Sequence, residues 1–252
     1  MSVNWNIQHM TASELVDLSR RSAAILLPVA SVETLGRHGP LGLDLTVAQM
    51  ATPRIARNVC CPYAPPIPFG DTLDFAEMDG TVHIATHTLE DFYYCTARSL
   101  LRTSGFRCIV FLTFHSPNEI AAAAACRRLK AEGWECALVN WWQTLGANEN
   151  GILSCGREGT GHGGEMITSV ALAADASSTH MERACNEKPK KKLGNVLRWS
   201  GTPFQTFGTF REYCESGAWG DTSSASAEKG EELMTIGVER ISEFIRQAFE
   251  DA

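Results

Sequence analysis

The chain has 252 residues, 44% hydrophobic and 20% charged, a balance that fits one large globular α/β domain and excludes a fibrous or disordered chain. A net charge of −7 argues against a general nucleic-acid binder or a protein held on an anionic membrane. No stretch offers the roughly 20 apolar residues that span a bilayer, and the first residues lack the basic-then-apolar order of a secretory signal.

Nine scattered cysteines without a CxxC pair read as reduced thiols, mostly small core residues, in a cytoplasmic protein. Thr11–Ser19 reads as a helix opened by a Thr11/Glu14 capping box. Ala23–Val29 is an apolar run with the character of a buried strand. The loop after it carries Glu33, His38 and Asp44 among three glycines, and a helix over 44–57 follows. These oxygen and nitrogen donors suit a divalent metal. They equally suit a solvated loop acid, Glu33, and a helix cap, Asp44.

The prolines of 65–68 predict an extended segment rather than a central strand. Residues 71–86 form a long irregular connection, ordered by its aromatic and apolar content. A helix over 88–104 ends at Gly105. A second buried strand, 107–114, runs directly into His115-Ser-Pro-Asn118 and a helix over 119–131. Residues 135–142 read as a third strand ending in Trp141 and Trp142.

Strands alternating with helices predict a parallel sheet. Ligands of such sheets sit beyond the carboxyl ends of the strands. The loops after the first two strands, with Glu33, His38 and Asp44 on one and His115 on the other, would meet there.

The glycine-rich segment 156–165 precedes an apolar helix over 166–174. It has neither GK[ST] nor G-x-G-x-x-G after a strand, so its His162 and Glu165 read as side chains brought close to a ligand, or as a solvated loop. The polar stretch 176–200, with the basic cluster 188–192, reads as a surface excursion. A final helix over 224–249 has an apolar face for the core. With no repeat and no linker, residues 1–252 read as a single domain.

Taken together, these residues resemble the creatininase (creatinine amidohydrolase) family over about residues 9–247. The landmarks fall in family order: Pro28–Asp44, Pro68–Gly70, Asp79–Thr81, His115–Asn118, His162–Ser169 and Gly217–Gly230. The resemblance implies a three-layer α/β fold, with a mainly parallel sheet flanked by helices, in a homo-oligomer, usually a hexamer. It also implies a metal-dependent hydrolase acting on a C–N bond of a small, often cyclic amide. Glu33, Asp44 and His115 match three metal-ligand positions.

Three departures stand out. The family's E-x-H is Glu33-Thr-Leu35 here, and the position two beyond the second-loop histidine, a glutamate in creatininase itself, is Pro117. The ligands private to one of two metals are thus missing. The asparagine-glycine before that histidine is Thr113-Phe114, which predicts a narrower, more apolar pocket there.

One reading has Glu33, Asp44 and His115 binding one Zn²⁺, Mn²⁺ or Fe²⁺, with an open position for chemistry. His162 or Glu165 is then the general base and acid, and His38 orients substrate or replaces the lost ligand. A second reading has the same histidines and carboxylates catalyse a lyase, isomerase or cyclisation step without metal. A third is a non-catalytic binding or assembly subunit. Trp141, Trp142 and Trp219 are candidates to stack on a flat substrate, or else core residues. Asn118 joins the substrate-binding candidates.

Overall fold

The computed structural model describes residues 4–146, 151–155, 160–188, 190 and 208–249. Three parallel strands, β1 (Ala24–Val29), β2 (Cys108–Thr113) and β3 (Glu135–Asn140), lie in the order β1-β2-β3. Ala24 pairs with Cys108 and Cys108 with Glu135, so the carboxyl ends of the strands are level. β1 and β2 are buried at every position, as apolar runs with both faces covered must be. Along the free side of β1, Tyr63 and Ile67 bridge Leu26 and Val29 in parallel. The extended proline-rich segment thus lies beside the sheet as an edge, where missing N–H groups do no harm.

Alternate residues along β1 and β2 enter different cores. Leu26, Val110 and Leu112 pack with α2 (Leu43–Val59), α6 (Glu165–Asp175) and α8 (Ala227–Phe249). Ile25, Leu27, Ile109 and Phe111 pack with α3 (Thr86–Ser104) and α4 (Asn118–Ala131). The result is three layers, helix–sheet–helix, as expected. Truncating a residue such as Leu26, 0% exposed, to alanine would cost about 2–5 kcal/mol through the cavity left behind.

Local chemistry sets the boundaries. Helix α1 (Ala12–Ser19) opens with the capping box: the Thr11 hydroxyl accepts from Glu14 N, and the Glu14 carboxylate accepts from Thr11 N at 2.7 Å. Gly105 ends α3 in the left-handed region at φ 87°. Gly230 lets α8 press on α6, since a Cβ there would lie 2.0 Å from the Ser169 carbonyl oxygen.

One element differs from expectation. Residues 141 and 142 do not extend β3; they open the short helix α5 (Trp141–Gly146). The Asn140 side chain accepts from Gln143 N at 3.1 Å and turns the chain. After the short helix α7 (Phe210–Tyr213), helix α8 begins at Ala227 rather than 224. Short turns Ala176–Ser178 and Met181–Arg183 occupy the start of the polar excursion. Residues 156–159, 189 and 191–200, which hold much of the glycine-rich loop and basic cluster, lie outside the described residues. Among the described residues, no helix is long and apolar enough to cross a membrane.

Candidate metal centre and pocket

At the carboxyl ends of β1 and β2, Glu33, Asp44 and His115 converge, their ligand atoms within 4.8 Å of one another. His115 Nδ1 lies 3.3 Å from Glu33 Oε2 and 3.2 Å from Asp44 Oδ2. Each group has a different origin. Glu33 is on the loop after β1, Asp44 is in the first turn of α2, and His115 follows β2.

The surroundings fix their orientation. His115 Nε2–H donates to the Asp71 carbonyl at 2.8 Å; a carbonyl only accepts, so Nδ1 is the nitrogen turned to the carboxylates. Asp44 Oδ2 accepts from the Ser31 hydroxyl at 2.8 Å, and Oδ1 from Trp142 Nε1 at 3.1 Å. Glu33 Oε2 is buried and meets His115 Nδ1 only as an ion-pair contact, without a hydrogen bond of normal geometry.

Burial opposes a charged imidazole, but Glu33 and Asp44 outweigh it and hold His115 well above its usual range. Burial, aided by Glu33, pushes the Asp44 carboxyl up, against the hydrogen bonds from His115 and Ser31. Two carboxyl groups crowd one imidazole nitrogen, and a positive charge between them stabilises the arrangement. A proton on Nδ1 supplies it, and so would a divalent cation. The donor set, two carboxylates and one imidazole, fits zinc, manganese or ferrous iron.

A pocket opens beside this centre. Leu35 and Pro117, two of the positions singled out as departures from the family pattern, both line it. So do His162, Trp142 and Trp219. His162 Nε2–H donates to the Thr34 carbonyl at 2.9 Å, leaving Nδ1 as the acceptor nitrogen. Its ring lies 4.8 Å from Phe75 and 4.9 Å from Phe210, centroid to centroid.

The other expected site residues are elsewhere. His38 is buried away from the pocket, its Nε2–H donating to Thr168 Oγ1 at 3.0 Å while that hydroxyl donates to the Gly163 carbonyl. Burial, and then His162, lowers its tendency to take a proton. Its role in the structure is to tie the first loop to α6, and it cannot replace the ligand lost at Leu35 without moving.

Glu165 is fully buried behind the pocket wall. It accepts from Lys229 Nζ at 2.5 Å, Ser154 N at 3.0 Å and Cys155 N at 2.7 Å. Burial would raise its carboxyl, but these three donors prevail and hold it below its ordinary value. An acid so fully engaged is poorly placed for proton transfer to a ligand.

Trp141 turns into the core, against Phe114 at 5.4 Å, with Phe114 itself fully buried. The narrowing expected from Thr113-Phe114 is therefore not made by those side chains, neither of which lines the pocket. Asn118 is a structural tie, accepting from Asp71 N at 2.8 Å and donating to the Ala30 carbonyl at 3.0 Å. Gly70 must be small to lie over this amide: a Cβ there would meet Asn118 Oδ1 at 2.5 Å.

Several lining residues carry no sequence signal of their own, among them Asp74, Phe75 and Phe210. Asp74 and Phe75 share the short turn Leu73–Phe75 within the long 71–86 connection, whose length is the feature that pointed to it.

Residues 8–245 match the family model described as creatinine amidohydrolase. The mycofactocin precursor peptide peptidase of Mycolicibacterium smegmatis is 27% identical over 232 residues, which cover 88% of this chain and 84% of that protein. The 3-dehydro-scyllo-inosose hydrolase of Thermotoga maritima is 25% identical over 265 residues, 97% of this chain and 82% of its own. A solved manganese form of creatininase superposes with a TM-score of 0.84 at 21% identity, covering 98% of this chain and 99% of its own. A creatininase variant of the Zn–Zn type gives 0.83 at 21% identity, with the same coverage. At that identity the superpositions establish the fold, while the family match spans nearly the whole sequence. The chain belongs to the creatininase (creatinine amidohydrolase) family of hydrolases.

Proposed function

We propose that this hydrolase cleaves a C–N bond of a small amide, ring amides included, with one divalent cation (zinc, manganese or iron) held by Glu33, Asp44 and His115. The observation that carries the reading is the convergence of these three donors, with their ligand atoms within 4.8 Å of one another. The peptidase name of the M. smegmatis relative supports an amide-type bond. Leu35 and Pro117 on the pocket wall support one cation rather than two.

When bound, the cation supplies Lewis-acid polarisation of the scissile carbonyl and a more acidic attacking water. The chain's own residues do the rest. Asp71 presents His115 Nδ1, and Ser31 and Trp142 aim the two Asp44 oxygens. His162 Nδ1 takes a proton and returns it to the leaving nitrogen. Trp142 and Trp219 offer flat faces to the substrate. His38 and Glu165 act as positioning residues for the loop that carries His162. A metal-free acid–base mechanism loses support because these two lie outside the pocket. The same reading keeps residues 1–252 as one cytoplasmic domain in a homo-oligomer, the hexamer that the family resemblance implies.

Elemental analysis of protein purified without a histidine tag tests the reading. About one equivalent of metal is expected, lost in His115→Ala, together with amide hydrolysis that chelation abolishes. No metal after incubation with Zn²⁺ or Mn²⁺ would overturn it.

A further inference from the structure

The pocket's charges are one-sided. Among its described lining residues are three carboxylates, Glu33, Asp44 and Asp74, and neither lysine nor arginine. Glu33 and Asp44 are balanced by charge on His115, or by the cation of the reading above. Asp74 is not balanced. Its side chain makes no hydrogen bond or ion pair with any described residue, though it feels Asp71, His115 and Glu33 through space.

Aromatic rings flank this acid. Phe75, its neighbour in the turn, lies 4.1 Å from Phe210, and Phe210 stacks on Trp219 at 4.7 Å, centroid to centroid. All three rings line the pocket. Phe210 packs against both other rings, so the three form an apolar wall, and excluding water beside an acid strengthens its pull on a cation. A carboxylate half withdrawn from water gains most from a cationic partner. Burial, and then Asp71, pushes the Asp74 carboxyl up, the direction expected of an acid that lacks one. An anionic ligand would meet repulsion from the acids and find neither lysine nor arginine among the described lining residues, so the same feature disfavours phosphates and carboxylates away from His115.

We propose that the pocket selects substrates bearing a positively charged nitrogen, with Asp74 as counter-ion and Phe75, Phe210 and Trp219 as the surrounding wall. The inference rests on the proposed active site only in placing the substrate there; the recognition needs no metal.

The test is binding, not turnover. Benzyltrimethylammonium, whose charge is permanent and whose nitrogen cannot coordinate metal, is titrated against benzyl alcohol and benzenesulfonate on the full chain, by calorimetry. Each titration is run with metal loaded and with chelator. The cation should bind at least about tenfold more tightly than the alcohol, and the sulfonate more weakly than either. In Asp74→Asn the advantage should fall below about threefold, with metal content and thermal midpoint at parental values. Phe210→Leu, which keeps the acid, should reduce the advantage in part, and it serves should the first variant misfold. Equal binding of cation and alcohol, preference for the sulfonate, or full selectivity retained in Asp74→Asn would overturn the inference. A cation preference that survives chelation in a protein without metal or amidase activity would sink the proposed hydrolase mechanism and leave this inference standing.

Discussion

His115 and Asp71 are joined by a 2.8 Å hydrogen bond from imidazole Nε2 to a backbone carbonyl, and that bond decides which nitrogen the carboxylates meet. The carbonyl is itself held in place, because Asn118 accepts from the Asp71 N–H and donates to Ala30. Asn118→Ala would leave two buried backbone groups unpaired and cost about 2–4 kcal/mol. It should also weaken the affinity for Zn²⁺ about 10–100-fold, as loss of outer support for a ligand does. Denaturant unfolding and chelator competition read the two effects. Loss of stability with unchanged affinity would show that His115 keeps its orientation without this tie.

His162→Gln retains a donor for the Thr34 carbonyl but removes the acceptor nitrogen. We predict a fall in kcat of about 10²–10⁴-fold on any amide that the parent hydrolyses, with metal content unchanged. A small drop in kcat would assign the proton transfer to another group.

Glu165→Gln separates support from catalysis. It removes the negative partner of Lys229, whose side chain is 23% exposed beside a fully buried carboxylate, and should cost about 3 kcal/mol at pH 7. Glu165's carboxyl is held below its ordinary value in the folded chain, so its contribution is complete above about pH 4.5, the unfolded value, and fades as pH falls through the folded one. The stability gap between parent and variant should therefore be constant near neutrality and close in acid. Turnover per folded molecule should barely change; a loss of kcat in fully folded variant would return Glu165 to the catalytic set.

Leu35→His combined with Pro117→Glu restores nitrogen and oxygen donors at the two altered positions. Both side chains border the pocket, and a glutamate suits the start of α4. Bound metal should rise from about one equivalent to about two. Without metal the variant should lose about 1–3 kcal/mol, because Leu35 is buried and a buried imidazole needs a partner. A count that stays at one would mean that the backbone no longer supports a second centre.

What the sequence made legible follows from local physics. The apolar run at 24–29, the Thr11/Glu14 box and the Gly105 stop each declare themselves within a few residues. The Glu33, Asp44 and His115 cluster was accessible through topology, since loops at the same end of adjacent parallel strands must meet. Glu165 was not, because its partner Lys229 comes from a distant helix and no motif announces the pair. Trp141 and Trp142 stand side by side in the chain, yet a single helical step sends one into the core and the other to Asp44. Asp74 and Phe210 reach the pocket from single-turn helices, Leu73–Phe75 and Phe210–Tyr213, too short to have a periodicity to read.

The sheet order carries a kinetic consequence. Glu33 and Asp44 follow β1, His115 follows β2, and the two strands pair from Ala24 against Cys108, across α2 and α3. Contacts between positions so distant in sequence close late, after much loop entropy has been lost. The three donors therefore have no common location in an incompletely folded chain. A cation that needs all three would leave the folding rate nearly untouched and slow unfolding instead, so its benefit would appear as longevity of the native state.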